Sequence, residues 1–319
     1  MPRLDSRILD VASPVSWTDL RLIGSGVQIV QFQSALTKRD YRRLAEALRR
    51  HPEVRLRAYG SYDGSITNLD FLEHFPELRR FSADALYHSL TNIEGLRFLP
   101  DDVESLTIGQ TKKRLSVAPL HRFKNLTHLY LEGQTKDIDV ISELQTLQSL
   151  TLRSITLPGL SMLHPLHNLR ALDLKLGGTK DLSELPNVGR LEYLELWMVK
   201  GLSDLSPVAD LASLDYLFLQ SLRQVDTLPP MNRLTALTRV WLETMKGLTD
   251  LSPLRDAPQL RQLALIEMPH LAPDAVKPLI GHPTLTTLRA GLGSKRKNDA
   301  VAELLPLASD GDWREPVRL

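Results

Sequence analysis

Residues 191–196 read LEYLEL, 214–219 read LDYLFL and 237–242 read LTRVWL, so one L-x-x-L-x-L frame returns every 23 residues. A fixed period in the twenties marks a solenoid, in which each repeat is too small to close its own core and buries its apolar side on its neighbours. The frame extends both ways from this stretch. Strand cores start near Val54, Leu78, Val103, Leu126, Leu147, Leu169, Leu191, Leu214, Leu237, Leu260 and Leu285, at intervals of 21 to 25 residues. With a unit at Val27 that makes twelve coils, which at roughly 4.8 Å between strands predicts a ribbon about 50 Å long. In the Val54 unit, Leu56 and Ala58 are expected inside and Arg57 outside.

Three regions follow from where this pattern holds. Residues 1–53 form an N-terminal cap, 54–290 the repeat array, and 291–319 a C-terminal helical cap and tail. Residues 1–26 carry no repeat signal, although Ile8, Leu9 and Val11 suit a short strand. After the strand Val27–Phe32, the 3–4 spacing of Tyr41, Leu44, Ala45 and Leu48 predicts an amphipathic helix with Thr37 as N-cap and Pro52 beyond its end. Residues 273–282 and 298–308 read as helices, with Asp274 and Asn298 or Asp299 near their starts. A tail pinned by Trp313 follows.

The return half of each coil repeats as well. Asp precedes an apolar residue in Asp137-Ile138, Asp181-Leu182, Asp204-Leu205 and Asp250-Leu251, with Ser206-Pro207 and Ser252-Pro253 following the last two. Asp accepts hydrogen bonds from amides just ahead of it, and Pro fixes φ at a bend. So short a return, rich in these residues, predicts 3₁₀ turns rather than full α-helices.

Composition excludes several function classes. The 39 Lys and Arg balance 38 Asp and Glu to a net charge of +1, so no overall field draws the chain to nucleic acid or an acidic membrane. There is no cysteine, which suits a reducing compartment. The opening MPRLDSRILDVASP has no apolar signal-peptide core, and no apolar run approaches the roughly 18 to 20 residues of a membrane span. A cytoplasmic protein is the expectation.

The pattern in LEYLELWMVKGLSDLSPV (191–208) and LTRVWLETMKGLTDLSPL (237–254) resembles the short, 22-residue leucine-rich repeats of bacterial internalins. That resemblance implies an α/β solenoid: a curved right-handed coil with a parallel sheet on its concave face, 3₁₀ turns on the convex face and helical caps at both ends, used for protein binding. The chain departs from the family in having no export signal and no adhesive module. It also lacks the Asn ladder, whose positions hold Gln134, Ile155, Gly177, Val199, Leu222, Met245 and Met268. Backbone groups in those turns need other partners, since a buried unpaired group costs about 1–3 kcal/mol.

Alternation places the third, fifth and seventh residues of each frame on the concave face. From Leu191 to Glu243 these positions hold Tyr193, Glu195, Trp197, Tyr216, Phe218, Gln220, Arg239, Trp241 and Glu243, and five of the nine are aromatic in a chain that is 6% aromatic. Trp, Tyr and Arg dominate protein interfaces because they bury large areas while keeping a polar handle. Tyr130, Tyr193, Glu195, Trp197, Tyr216, Phe218, Arg239, Trp241 and Glu243 are therefore the expected partner-binding residues, facing outward as one patch. The competing interpretation is that large side chains on a concave sheet cover one another and only stabilise it.

Enzyme chemistry has no support in the sequence. There is no cysteine nucleophile, nucleophile elbow or phosphate-cradling glycine loop. His164 and His167 fall on a convex turn with no third ligand, so neither a metal nor any other cofactor is expected. The basic cluster Lys38, Arg39, Arg42, Arg43, Arg49, Arg50, Arg55 and Arg57, with Lys295-Arg296-Lys297 second, is the nucleic-acid candidate. Asp40, Glu46 and Glu53 interleave with it, which reads as a solvated helix face. The expected function is non-enzymatic recognition of a protein partner, with no membrane, nucleic-acid or small-molecule partner. The alternatives are an inhibitor or immunity-type regulator that plugs an enzyme or toxin, and a nucleic-acid-associated adaptor using the Arg-rich helix.

Overall fold

The computed structural model describes residues 7–311 and Trp313. The signal-peptide reading rests partly on residues 1–6 and the tail reading on 312 and 314–319, which lie outside the described residues. The chain divides into two units, Met1–Leu147 and Gln148–Leu319.

In the first unit, strands β1 (Ile8–Asp10), β2 (Ile29–Phe32), β3 (Arg55–Tyr59), β4 (Arg80–Asp84), β5 (Ser105–Ile108) and β6 (His128–Glu132) pair in chain order, every pair parallel. Helix α1 (Trp17–Leu22) precedes β2, and α2 (Lys38–Leu48) precedes β3. In the second unit β7 (Ser149–Arg153), β8 (Ala171–Lys175), β9 (Tyr193–Trp197), β10 (Tyr216–Gln220), β11 (Arg239–Glu243), β12 (Gln262–Ile266) and β13 (Thr287–Ala290) do the same, followed by α3 (Lys295–Leu304). From β3 onward the returns between strands carry 3₁₀ turns, for example Asp70–His74, Ser206–Asp210 and Ser252–Asp256, except the return from β10 to β11, which has no helical residue. This is the leucine-rich-repeat solenoid that the period predicts.

Alternation sets the interior. Leu194, Leu196, Leu217, Leu219, Val240 and Leu242 are completely buried, each contributing about 2 kcal/mol of apolar burial. Leu56 and Ala58 also point in, while Arg57 lies on the other face and binds Asp84 at 2.7 Å. Thr37 caps α2 as expected, accepting from the Asp40 amide at 3.2 Å. The Asp-x-Ser returns work as predicted too: Asp204 and Asp250 each accept the amide of the Ser two residues on at 2.8 Å. Those hydrogen bonds hold both carboxyls below the usual carboxylate range.

β1 is the short strand that Ile8 and Leu9 suit, and it joins the twelve coils counted. Three features differ from expectation. α1, capped by Ser16, falls in a stretch without repeat signal. α3 starts at Lys295 under a Ser294 cap, earlier than Asn298 or Asp299, because the Asn298 side chain instead accepts from the Leu292 amide at 2.8 Å. Pro273–Leu279 is 3₁₀, since Pro278 has no amide for a helix ladder.

At several positions of the missing Asn ladder other groups fill the turn. Gln134 is buried, donates to the Gly109 carbonyl and the Thr111 hydroxyl, and accepts the Leu115 amide at 2.7 Å. Met245 N–H donates to Met268 Sδ at 3.2 Å. At Gly177 a Cβ would come within 2.0 Å of the Ile155 carbonyl oxygen, so the backbone itself fills the turn.

Just past β7 to β12, each chain turns through one left-handed residue. Ser154, Leu176, Met198, Ser221, Thr244 and Glu267 have φ between 49° and 57°. From Ser154 to Thr244, the amide of this residue bonds the carbonyl of the last strand residue in the next coil, as Leu176 does to Trp197 at 2.8 Å and Met198 to Gln220 at 2.9 Å. A left-handed residue with a side chain costs about 1–2 kcal/mol, and here the inter-coil ladder holds it. Met198 is exposed, so its conformation can be tested apart from packing. Met198→Gly is expected to be no less stable than the parent, whereas Met198→Val, β-branched, loses about 1–2 kcal/mol, read from urea denaturation midpoints.

Candidate partner-binding face

The side of the sheet opposite the leucines carries the candidate site. In-register pairing sets it out in rows. Tyr193, Tyr216, Arg239 and Gln262 are neighbours across β9 to β12; so are Glu195, Phe218, Trp241 and Ala264, and so are Trp197, Gln220, Glu243 and Ile266. Strand spacing of about 4.8 Å puts adjacent members of a row in contact.

The expected residues do share this face, but they are not all exposed. Tyr193, Glu195 and Tyr216 are buried, at 4%, 4% and 1% relative exposure. The two tyrosine rings meet edge to face at 5.4 Å over Ala171, with Phe218 and Trp241 packed beside them. Arg239 lays its guanidinium over the Tyr216 ring at 4.8 Å and pairs with Asp215. Large side chains stacked at strand spacing thus shield one another, and the innermost rings become a second small core on the sheet. The expectation of one wholly outward patch is corrected accordingly for these three residues.

Glu195 is buried for a different reason. Lys175 Nζ sits 2.8 Å from Glu195 Oε2 and 3.4 Å from Asp173 Oδ1, with both side chains of each pair almost wholly covered. The Tyr193 hydroxyl donates to Glu195 Oε2 at 2.9 Å, and the Thr151 hydroxyl donates to Asp173 Oδ2 at 2.8 Å. Burial pushes the Asp173 carboxyl up to about 7; Lys175 opposes the rise and the neighbouring Glu195 carboxylate reinforces it. Burial would also raise Glu195, but the hydrogen bond from Asp173, the Lys175 ammonium and the Tyr193 hydroxyl outweigh it and hold that carboxyl low. One carboxyl of the pair keeps its proton so that the other can stay charged beside a single ammonium. Asp173 and Lys175 lie outside the expected site, although they sit in open-face positions of the adjacent strand, where Asp173 is in register with Glu195 and Lys175 two residues on supplies the opposite charge.

Trp197, Phe218, Arg239, Trp241 and Glu243 remain partly accessible. Phe218 and Trp241 stack nearly parallel, 5.7 Å apart at 12°. Trp241 Nε1 donates to Glu243 Oε2 at 2.9 Å, and Gln220 Nε2 donates to Glu243 Oε1 at 2.7 Å, so the carboxylate fixes the indole. Arg153 lies over Trp197 at 5.3 Å, and Arg289 over Trp241 at 5.9 Å. Trp313 meets Trp241 edge-on at 5.7 Å and 76°. The Trp313 indole therefore rests on the candidate site. Tyr130 belongs to the first unit, where it sits half-buried on β6 beside Thr107.

Among the described residues, no group of three or more His, Cys, Asp or Glu is placed to hold a metal ion, and no helix is long and apolar enough to cross a membrane.

No protein-family model matches the chain, and no curated protein matches it. Among solved structures it is similar to an internalin (inlF) of Listeria monocytogenes, at 20% identity and a TM-score of 0.58, over 95% of this chain and 84% of that one. It is also similar to a leucine-rich-repeat protein of Leptospira interrogans, at 16% identity and a TM-score of 0.47, over 95% and 89% of the two chains. The internalin likeness shows the leucine-rich-repeat fold.

The protonated carboxyl gives a pH signature. Asp173 is raised from its ordinary value near 3.8 to about 7, so the folded state holds the extra proton between those values. Its contribution to stability is full below the lower value and is lost as pH rises through about 7. Asp173→Asn is expected to flatten the fall in urea denaturation midpoint between pH 5 and pH 8 relative to the parent chain. An equal fall in both proteins would show that Asp173 is ionised throughout.

Proposed function

We propose that this chain is a non-enzymatic protein-binding module, acting in a cytoplasm, whose partner docks on the open face of β9 to β11. Trp197, Phe218, Arg239, Trp241 and Glu243 make the contact, and Tyr193, Glu195 and Tyr216 support it from beneath. The observation that carries this reading is the flat Phe218–Trp241 stack: two large rings, partly accessible, with the indole nitrogen already tied to Glu243. Rings held in one orientation lose little entropy on binding, and Trp and Arg are the residues that most often anchor interfaces. The Trp313 contact supports the same reading, because it places an aromatic side chain of the protein's own on that stack. A partner must displace this indole or pack against it.

Burial divides the site into two tiers that mutation separates. Tyr216→Ala is expected to cost about 3 kcal/mol of stability, as for an aromatic deleted from a core. A Trp197→Ala, Trp241→Ala double variant is expected to keep its circular dichroism and lose no more than about 2 kcal/mol. In affinity purifications run side by side from the native cells, proteins retained by the parent chain should be lost from the double variant, and Trp313→Ala should increase their recovery. Equal retention by parent and double variant would move the binding site elsewhere, and a collapse of the double variant's melting would make these rings structural.

A further inference from the structure

The basic cluster of the N-terminal region resolves into two different things in the structure. Arg55 turns onto the face of β3, where it donates to Ser82, Ser105 and Thr107, and Arg57 is taken by Asp84. The three carboxylates that interleave with the cluster in sequence part in space. Asp40 is buried at the start of α2, 3.7 Å from Arg43, and Glu53 lies beside His51, 3.4 Å away, beyond the helix. What stays together is the outer side of α2 and the facing side of α1.

Between these helices lies a solvent-open depression of about 600 Å³, walled by Trp17, Arg21, Arg42, Arg43, Glu46 and Arg50 among others. Four guanidiniums face one carboxylate there, and Glu46 is itself 3.5 Å from Arg49. Arg42, Glu46 and His51 also line an adjoining hollow that Arg49, His74 and Glu77 enter. Arg21, Arg42 and Arg50 have no carboxylate partner among the described residues.

Trp17 is the second independent feature. Its side chain is 67% exposed, unusual for the largest apolar residue type. The Arg43 guanidinium caps its ring at 4.3 Å. Arg43 is in turn fixed, donating to the Val15 carbonyl at 3.1 Å and lying 3.7 Å from Asp40. The indole is thus propped from one side by an immobile cation and open toward solvent elsewhere, with unpaired arginines around it. An aromatic ring among cations is the arrangement that binds unpaired bases, the ring stacking on the base and the arginines taking phosphates. An acidic peptide would use the charges and leave the ring idle. A duplex groove needs an inserted helix or ribbon, and α1 has only six residues.

We infer that the α1–α2 surface of the N-terminal unit binds single-stranded nucleic acid, one base stacking on Trp17 while Arg21, Arg42 and Arg50 hold the flanking phosphates. This surface is separate in sequence from the proposed protein-binding residues and does not depend on them.

Fluorescence anisotropy of the full chain with labelled dT20 and rU20 tests it, and the pair shows whether the sugar matters. Three phosphate contacts predict a slope of about −2 for the logarithm of affinity against the logarithm of salt concentration. An Arg42→Glu, Arg50→Glu double variant, altered only at solvent-facing positions, is expected to bind at least tenfold more weakly with unchanged melting. Trp17→Ala should weaken binding by about five- to a hundred-fold through the lost stack while keeping the salt slope, and Trp17→Phe, which retains a ring over Arg43, should recover part of it. The Trp197→Ala, Trp241→Ala protein should bind both oligonucleotides like the parent. The inference is overturned if neither oligonucleotide binds in low salt, if Trp17→Ala binds like the parent, or if polyglutamate competes as well as unlabelled dT20.

Discussion

Everything in this protein depends on parallel strands pairing without slippage while their leucines point one way. A side-chain period of two leaves no freedom: once Leu194, Leu217 and Val240 are inside, Glu195, Phe218 and Trp241 must lie side by side on the other surface. A slip of one residue would put charges into the core, at several kcal/mol each. The apolar interior therefore fixes more than the fold. It decides which polar and aromatic residues become neighbours, and so what chemistry the open face can present.

Rows formed in this way bring like residues together as readily as complementary ones, and the second unit shows both outcomes. Where aromatic residues align they shield one another, so that Tyr216 ends up as covered as a core leucine. Where two acidic residues align, as Asp173 and Glu195 do, an ammonium on the same strand as the first comes between them. Breaking a covered ion pair by removing one partner is strongly destabilising, because a buried charge is left alone. Lys175 is accordingly fixed in its role by its neighbours, and below about pH 7 the third charge is removed by the proton that Asp173 holds.

The sequence was most informative where a single period governs. Strand positions, the inward leucines, the 3₁₀ returns, the Thr37 cap and the Asp-Ser turns all follow from local rules and from repetition, and all are present. Membership of the open face was legible for the same reason. Exposure on that face was not, because it depends on how side chains from three or four coils fill space together, and no single frame records that. Tyr193 and Arg239 occupy the same third position of their frames, yet one is covered and the other partly accessible. Helix α1 was hidden for the opposite reason: it occurs once, is six residues long and has only the Ser16 cap to announce it.

Covered rings at the centre of a candidate interface strengthen it as a binding site. A tryptophan free to swing would lose its rotamer entropy on contact, whereas Trp241 is already stacked on Phe218 and tethered through its nitrogen to Glu243, which Gln220 holds in turn. That chain of contacts crosses two adjacent strands whose backbones are themselves locked by the leucine interior. Rigidity is thus passed from core to surface, and the ordering that association would otherwise require is done during folding. The same logic holds at a smaller scale in the first unit, where Arg43 is fastened to the Val15 carbonyl and in turn steadies Trp17. In both places an aromatic ring that could bind something is held by a polar group that the fold has already fixed.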